Sequence, residues 1–139
     1  MTTVTNPNIG SYLSQLIGGR DVETLTIIVN GAPYGDEKVW NALRLAATTL
    51  SASIDLKVNI FLLGNAVACA KKGQKTPEGY YNLEKMLVDL LSRGANVAAC
   101  GTCLNARALS KEEIIEGIEV GTMMGLAGWV KDSSKVLSF

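Results

Sequence analysis

Two of the chain's three cysteines stand together as Cys100-Gly101-Thr102-Cys103. The residues before them, Ala95-Asn96-Val97-Ala98-Ala99, are mostly apolar and follow Arg93-Gly94, which predicts a short buried strand. Those after them, Leu104-Asn105-Ala106-Arg107-Ala108-Leu109, are mostly good helix formers. A thiol at that junction faces the first turn of a helix, where unpaired N–H groups and the dipole favour a thiolate. The thiolate is the reactive form, and such surroundings can lower a cysteine pKa from about 8.5 to roughly 3.5–7.5. The sequence holds no histidine. Ser-His-Asp and Cys-His machinery therefore cannot be built within one chain, and the usual His-containing zinc sites are excluded. Charge for a thiolate must come from helix ends, from Arg107 four residues after Cys103, or from Lys71 and Lys72 in a neighbouring loop, unless a partner protein supplies it. That loop also carries Cys69, the third thiol.

These residues need a scaffold, and the apolar pattern supplies one. Thr24–Val29 and Lys57–Leu63 read as strands covered on both faces, and Lys135–Phe139 as a closing strand. Asn30–Asp36 is a Gly- and Pro-containing loop, with Asp36 capping a helix that runs to about Ser51. Val39, Leu43, Ala46 and Leu50 form the inner stripe of that helix, widened by Trp40 and Ala47. A second helix is predicted from Glu78 or Gly79, with Tyr80, Leu83, Leu87 and Leu90 or Leu91 at helical spacing and Arg93-Gly94 at its end. Ser110–Glu113 is a capping box, Gly117–Gly121 a brief extended piece, and Thr122 the cap of a last helix. Strands alternating with helices predict a mostly parallel sheet with right-handed crossovers. Ligands and chemistry then collect beyond the carboxyl ends of the strands. Three loops emerge there, at 30–36, 64–75 and 100–103. Tyr34, in the first of them, is a candidate to line the site.

Composition narrows the function classes. At 139 residues one α/β domain is expected over residues 24–139, after a lead-in of residues 1–23 that contains the amphipathic Tyr12–Ile17. Acidic and basic side chains balance at 13 each, which gives no basic footprint for nucleic acid. No apolar run approaches the roughly 20 residues needed to span a bilayer. The N-terminus lacks the blocks of a signal peptide, so a cytoplasmic protein is expected. Neither G-x-x-x-x-G-K-[ST] nor G-x-G-x-x-G occurs, and no cofactor is expected.

Several strings resemble the DsrE/DsrF-like sulfur-relay family. They are Asn30-Gly31-Ala32-Pro33-Tyr34-Gly35 before a helix with Asn41–Ala46, and Cys100–Arg107 followed by Gly117–Gly121. The closing Leu126–Val130 and Val136–Phe139 belong to the same likeness. The resemblance implies a three-layer α/β fold of flavodoxin-like type, assembled as a homotrimer or homohexamer. It further implies a sulfurtransferase-like protein that carries sulfur as a cysteine persulfide between donor and acceptor proteins. Cys100 matches the family's carrier position and Cys103 a frequent companion, while Cys69 recurs in some members. Exchange of this kind needs thiolate character and access rather than a general base, so it can run without histidine. Three alternatives stand beside it: a C-x-x-C thiol–disulfide redox protein, a Cys-ligated metal module, and an oligomer without catalysis.

Overall fold

The computed structural model describes residues 23–139 apart from Ala52. The lead-in, including Tyr12–Ile17, lies outside the described residues except for Glu23. Five strands form one sheet, all parallel: β1 Thr24–Val29, β2 Lys57–Leu62, β3 Asn96–Cys100, β4 Glu119–Gly121 and β5 Lys135–Ser138. Their order is β4-β3-β2-β1-β5. Four helices connect them: α1 Lys38–Thr49, α2 Leu83–Ser92, α3 Gly101–Ala106 and α4 Met123–Asp132. Two 3-10 segments complete the described residues, Gly64–Ala70 and Lys111–Glu113.

Topology fixes the layers. From β1 to β4 each crossover steps the same way, so right-handedness puts α1, α2 and α3 on one face. The step from β4 back to β5 reverses direction and sends α4 to the other face. The three-layer α/β reading holds. The winding reverses between β1 and β5, a different strand order from flavodoxin's 2-1-3-4-5.

Side-chain alternation agrees with this assignment. Leu25, Ile27 and Val29 of β1 and Val58, Ile60 and Leu62 of β2 are buried on the α1/α2 face. Val39, Ala42, Leu43 and Ala46 of α1 and Leu83, Leu87 and Leu90 of α2 meet them there. On the α4 face, Phe61 stacks edge-on to Trp129 with ring centroids 5.9 Å apart. The same face carries a polar row: Asn96 donates to Asn59 at 3.0 Å, and Asn59 donates to Thr26 at 3.4 Å. Thr26 and Ser133 then share a hydrogen bond at the end of α4. Buried polar side chains are tolerated when so paired.

Local boundaries depart from the sequence reading in two places. Helix α2 begins at Leu83 rather than at Glu78 or Gly79, because the Asn82 side chain caps Lys85 N–H. Gly79 sits at φ +82°, outside any helix, and Tyr80 joins a surface aromatic cluster. The stretch after β2, read as a loop, is a 3-10 segment whose Ala66, Val67, Cys69 and Ala70 are buried. Asp36, expected as the cap of α1, accepts Lys38 N–H at 2.8 Å from just outside the helix, whereas the N-cap itself is Glu37 and makes no side-chain cap bond. No described helix is long and apolar enough to cross a membrane.

Candidate functional site

Strand β3 ends at Cys100, which is also the residue capping α3. Its sulfur accepts the N–H of Cys103 at 3.3 Å, as an N-cap side chain does. The pair is thereby folded into one turn with the two thiols side by side. With only six residues, α3 has a short dipole, so the sulfurs are polarised mainly by individual donors. One such donor comes from the neighbouring loop. Gly64, at φ +59°, turns its N–H onto the Cys103 sulfur at 3.2 Å. A side chain there would be strained, which accounts for glycine at the exit of β2.

The two thiols differ. Cys100 is 7% exposed, and Cys103 is more open to solvent. Burial pushes the Cys100 pKa up, and its S–H is further retained by donating to Cys103. Cys103 shifts down for the complementary reasons: it receives the Cys100 hydrogen bond, the Gly64 N–H and the field of the Arg107 guanidinium. The sequence placed the favoured thiolate at the helix start, on Cys100. At the strand end burial opposes the N-cap bond and raises the Cys100 pKa, while the donors around Cys103 lower its own.

The remaining candidates divide. Arg107 joins the site: Nη1 donates to the Cys103 carbonyl at 3.1 Å and Nη2 to Asn65 Oδ1 at 2.7 Å. Cys69 is fully buried in the 3-10 segment, and desolvation raises its pKa to about 12, so it stays a neutral thiol. Lys71 is engaged elsewhere, with Glu113 at 2.9 Å. Lys72 lines a separate cavity with Lys111 and Ile118. Tyr34 is held at φ +63°, donating to Gln74 and accepting Leu83 N–H at 3.0 Å. Its ring stacks on Tyr81, which stacks in turn on Trp40. Tyr34 thus fastens the first loop to the start of α2 and makes no bond to Cys100 or Cys103. Gln74 also donates to the Cys69 carbonyl, pinning the far end of the 3-10 segment. Among the described residues no three His, Cys, Asp or Glu side chains are grouped to hold a metal.

Sequence reasoning missed Gly64 and Asn65 as site residues. A glycine directly after a strand was the available signal for the first, and nothing local marked the second.

The DsrE/DsrF-like family matches residues 23–139, from the start of the sheet to the last residue. This chain belongs to that family. Membership supports a role of the sulfur-relay type in general. The protein YchN of Escherichia coli K12 is 39% identical over 118 residues, which cover 85% of this chain and all of YchN. The crystal structure of YchN superposes with a TM-score of 0.78. MJ0989 of Methanocaldococcus jannaschii, named an uncharacterized protein, is 44% identical over 114 residues, 82% of this chain and 97% of its own. BT1422 of Bacteroides thetaiotaomicron shares the fold at a TM-score of 0.64 and 21% identity, covering 84% of this chain and 95% of its own.

Proposed function

We propose that this protein carries sulfane sulfur on the Cys100–Cys103 pair and passes it to an acceptor thiol, with Cys103 as the entering thiolate. One observation carries the reading: the more open thiol of the pair is also the one that receives the Gly64 N–H and the Arg107 field. In the forward step the Cys103 thiolate attacks the outer sulfur of a donor persulfide, R–S–SH. A bond forms to that sulfur, the donor's S–S bond breaks, and RS⁻ leaves. An acceptor thiolate then attacks the outer sulfur of Cys103–S–SH and restores the Cys103 thiolate. No net oxidation occurs in either step. Transfer of the outer sulfur from Cys103 to Cys100 would bring it to the position that family resemblance assigns to the carrier. Such exchange requires reduced thiols, and all three cysteines are free, in keeping with a cytoplasmic setting.

The adjacency of the two sulfurs also favours a second reading, thiol–disulfide redox. If Cys100 attacks the inner sulfur of Cys103–S–SH, hydrosulfide leaves and a Cys100–Cys103 disulfide remains. Peptide mass spectrometry after exposure to polysulfide separates the two. The expected result is one added sulfur atom on the peptide spanning the pair and none on the Cys69 peptide. A disulfide with no persulfide at any time point would replace the relay with the redox reading.

Assembly belongs to the same proposal. On α4 only Leu126 is buried, whereas Met123, Met124 and Val130 are 62%, 83% and 41% exposed. An apolar surface of this kind suits contact between copies. Native mass spectrometry is expected to give a trimer or hexamer. A monomer at micromolar concentration would remove the oligomer from the proposal.

A further inference from the structure

The Cys103 sulfur is held between two elements that no strand or helix ladder joins. One is α3, which carries the cysteine; the other is the 3-10 segment, whose first residue, Gly64, turns its N–H onto that sulfur at 3.2 Å. A guanidinium also spans the two elements. Arg107 bonds the Cys103 carbonyl at 3.1 Å with one nitrogen and Asn65 Oδ1 at 2.7 Å with another. A planar fork can hold two acceptors in a fixed relation in a way that a lysine ammonium does not. Asn65 adjoins Gly64, so whatever fixes Asn65 relative to α3 also fixes where the Gly64 N–H points. Beyond Asn65 the segment's far end is tied separately, by Gln74 to the Cys69 and Lys71 carbonyls at 2.8 and 2.9 Å.

We propose that Asn65 and Arg107 form a positioning pair that clamps the Gly64 N–H onto the Cys103 sulfur and so decides which of the two cysteines attacks. The inference rests on the reading of Cys103 as the entering thiolate and adds its control. Neither residue needs to touch the transferred sulfur. The body of the 3-10 segment is anchored in the core, so without the clamp only its Gly64 end loosens, and the donor is held less firmly on the Cys103 sulfur. The titratable groups facing Cys103 are Cys100 and Arg107, and the packed 3-10 segment brings no charged side chain, only the neutral Cys69. Charge and clamp can therefore be separated by two exposed substitutions. Asn65→Ala removes the tie and keeps the guanidinium. Arg107→Lys keeps a positive charge and removes the fork.

The test is the pH dependence of iodoacetamide alkylation, read separately for each cysteine by peptide mass spectrometry. Wild type, Asn65→Ala, Arg107→Lys and Arg107→Ala are compared, with far-UV circular dichroism to confirm folding. The clamp predicts that Asn65→Ala and Arg107→Lys both move the Cys103 midpoint upward, cutting its thiolate fraction at neutral pH by about tenfold, one pKa unit. The buried Cys69 stays unreactive throughout. An unmoved midpoint in Asn65→Ala, with a shift only in Arg107→Ala, would reduce Arg107 to a charge and overturn the clamp. A wild-type Cys103 that titrates no lower than Cys100 would instead remove the reading beneath it, so the two failures are distinguishable.

Discussion

Cys103→Ser is expected to slow polysulfide uptake at pH 7 by at least about tenfold, while Cys100→Ser keeps most of the wild-type rate. Two opposing effects set the size. Each unit by which a thiol pKa falls toward the ambient pH multiplies its thiolate fraction about tenfold, and a Brønsted slope of about 0.4–0.5 cancels close to half of that logarithm. Acidity alone thus favours Cys103 by about threefold per unit of difference from Cys100. Access adds to it, since Cys100 is 7% exposed and its sulfur is engaged in capping α3, accepting the Cys103 N–H. In Cys103→Ser the surviving thiol is the one whose pKa burial raises, so its uptake should climb only at higher pH than in wild type. The sign is opposite for Cys103, whose downward shift carries its thiolate to lower pH. A serine at position 100 still offers a hydroxyl donor to the Cys103 sulfur, whereas Cys100→Ala removes it and should raise the Cys103 midpoint. Stopped uptake in Cys100→Ser, with normal uptake in Cys103→Ser, would return the entering role to Cys100.

The sequence carried the scaffold well because the signals were local. Apolar β-branched runs became β1 and β2, Arg93-Gly94 closed α2, and the capping box at Ser110–Glu113 formed as written. The junction at Cys100 was equally legible, since a strand end and a helix start are both short-range features. The difference in burial and hydrogen-bond donors between the two thiols was not. It depends on how deeply β3 is buried between β2 and β4 and on a donor that arrives from Gly64, 39 residues away in sequence. Asn65 and the polar row of Thr26, Asn59 and Asn96 were hidden for the same reason. Strand register brings those three side chains to one level, and register is a tertiary quantity. Cys69 looked like a candidate because its loop reaches the carboxyl edge. Small apolar neighbours on either side were the sign that it would pack inward.

The contact between Phe61 and Gly121 links the stability of the fold to the exposure of the site. Phe61 is 1% exposed, its ring lies edge-on to Trp129 of α4, and it holds the sheet's second face. Gly121 pairs in register with Cys100, and a Cβ built on it would lie 2.8 Å from a Phe61 ring carbon. The ring therefore fills the space that the glycine leaves and packs against β4 where it pairs with Cys100. Phe61→Ala is expected to cost about 3–5 kcal/mol, through lost burial plus the cavity left behind. Such a loss lowers Tm by roughly 10–20 °C in a domain of this size. Near-UV circular dichroism of Trp129 should weaken alongside, and Cys100 should alkylate faster as β4 loosens. Gly121→Ala makes the opposite error at the same contact, overpacking at about 1–3 kcal/mol. Combining it with Phe61→Leu should cost less than the sum of the two single changes, because the smaller side chain gives the new methyl its room. Strict additivity in that pair, or a Phe61→Ala loss below about 1 kcal/mol, would mean that the ring does not couple α4 to the strand that covers Cys100.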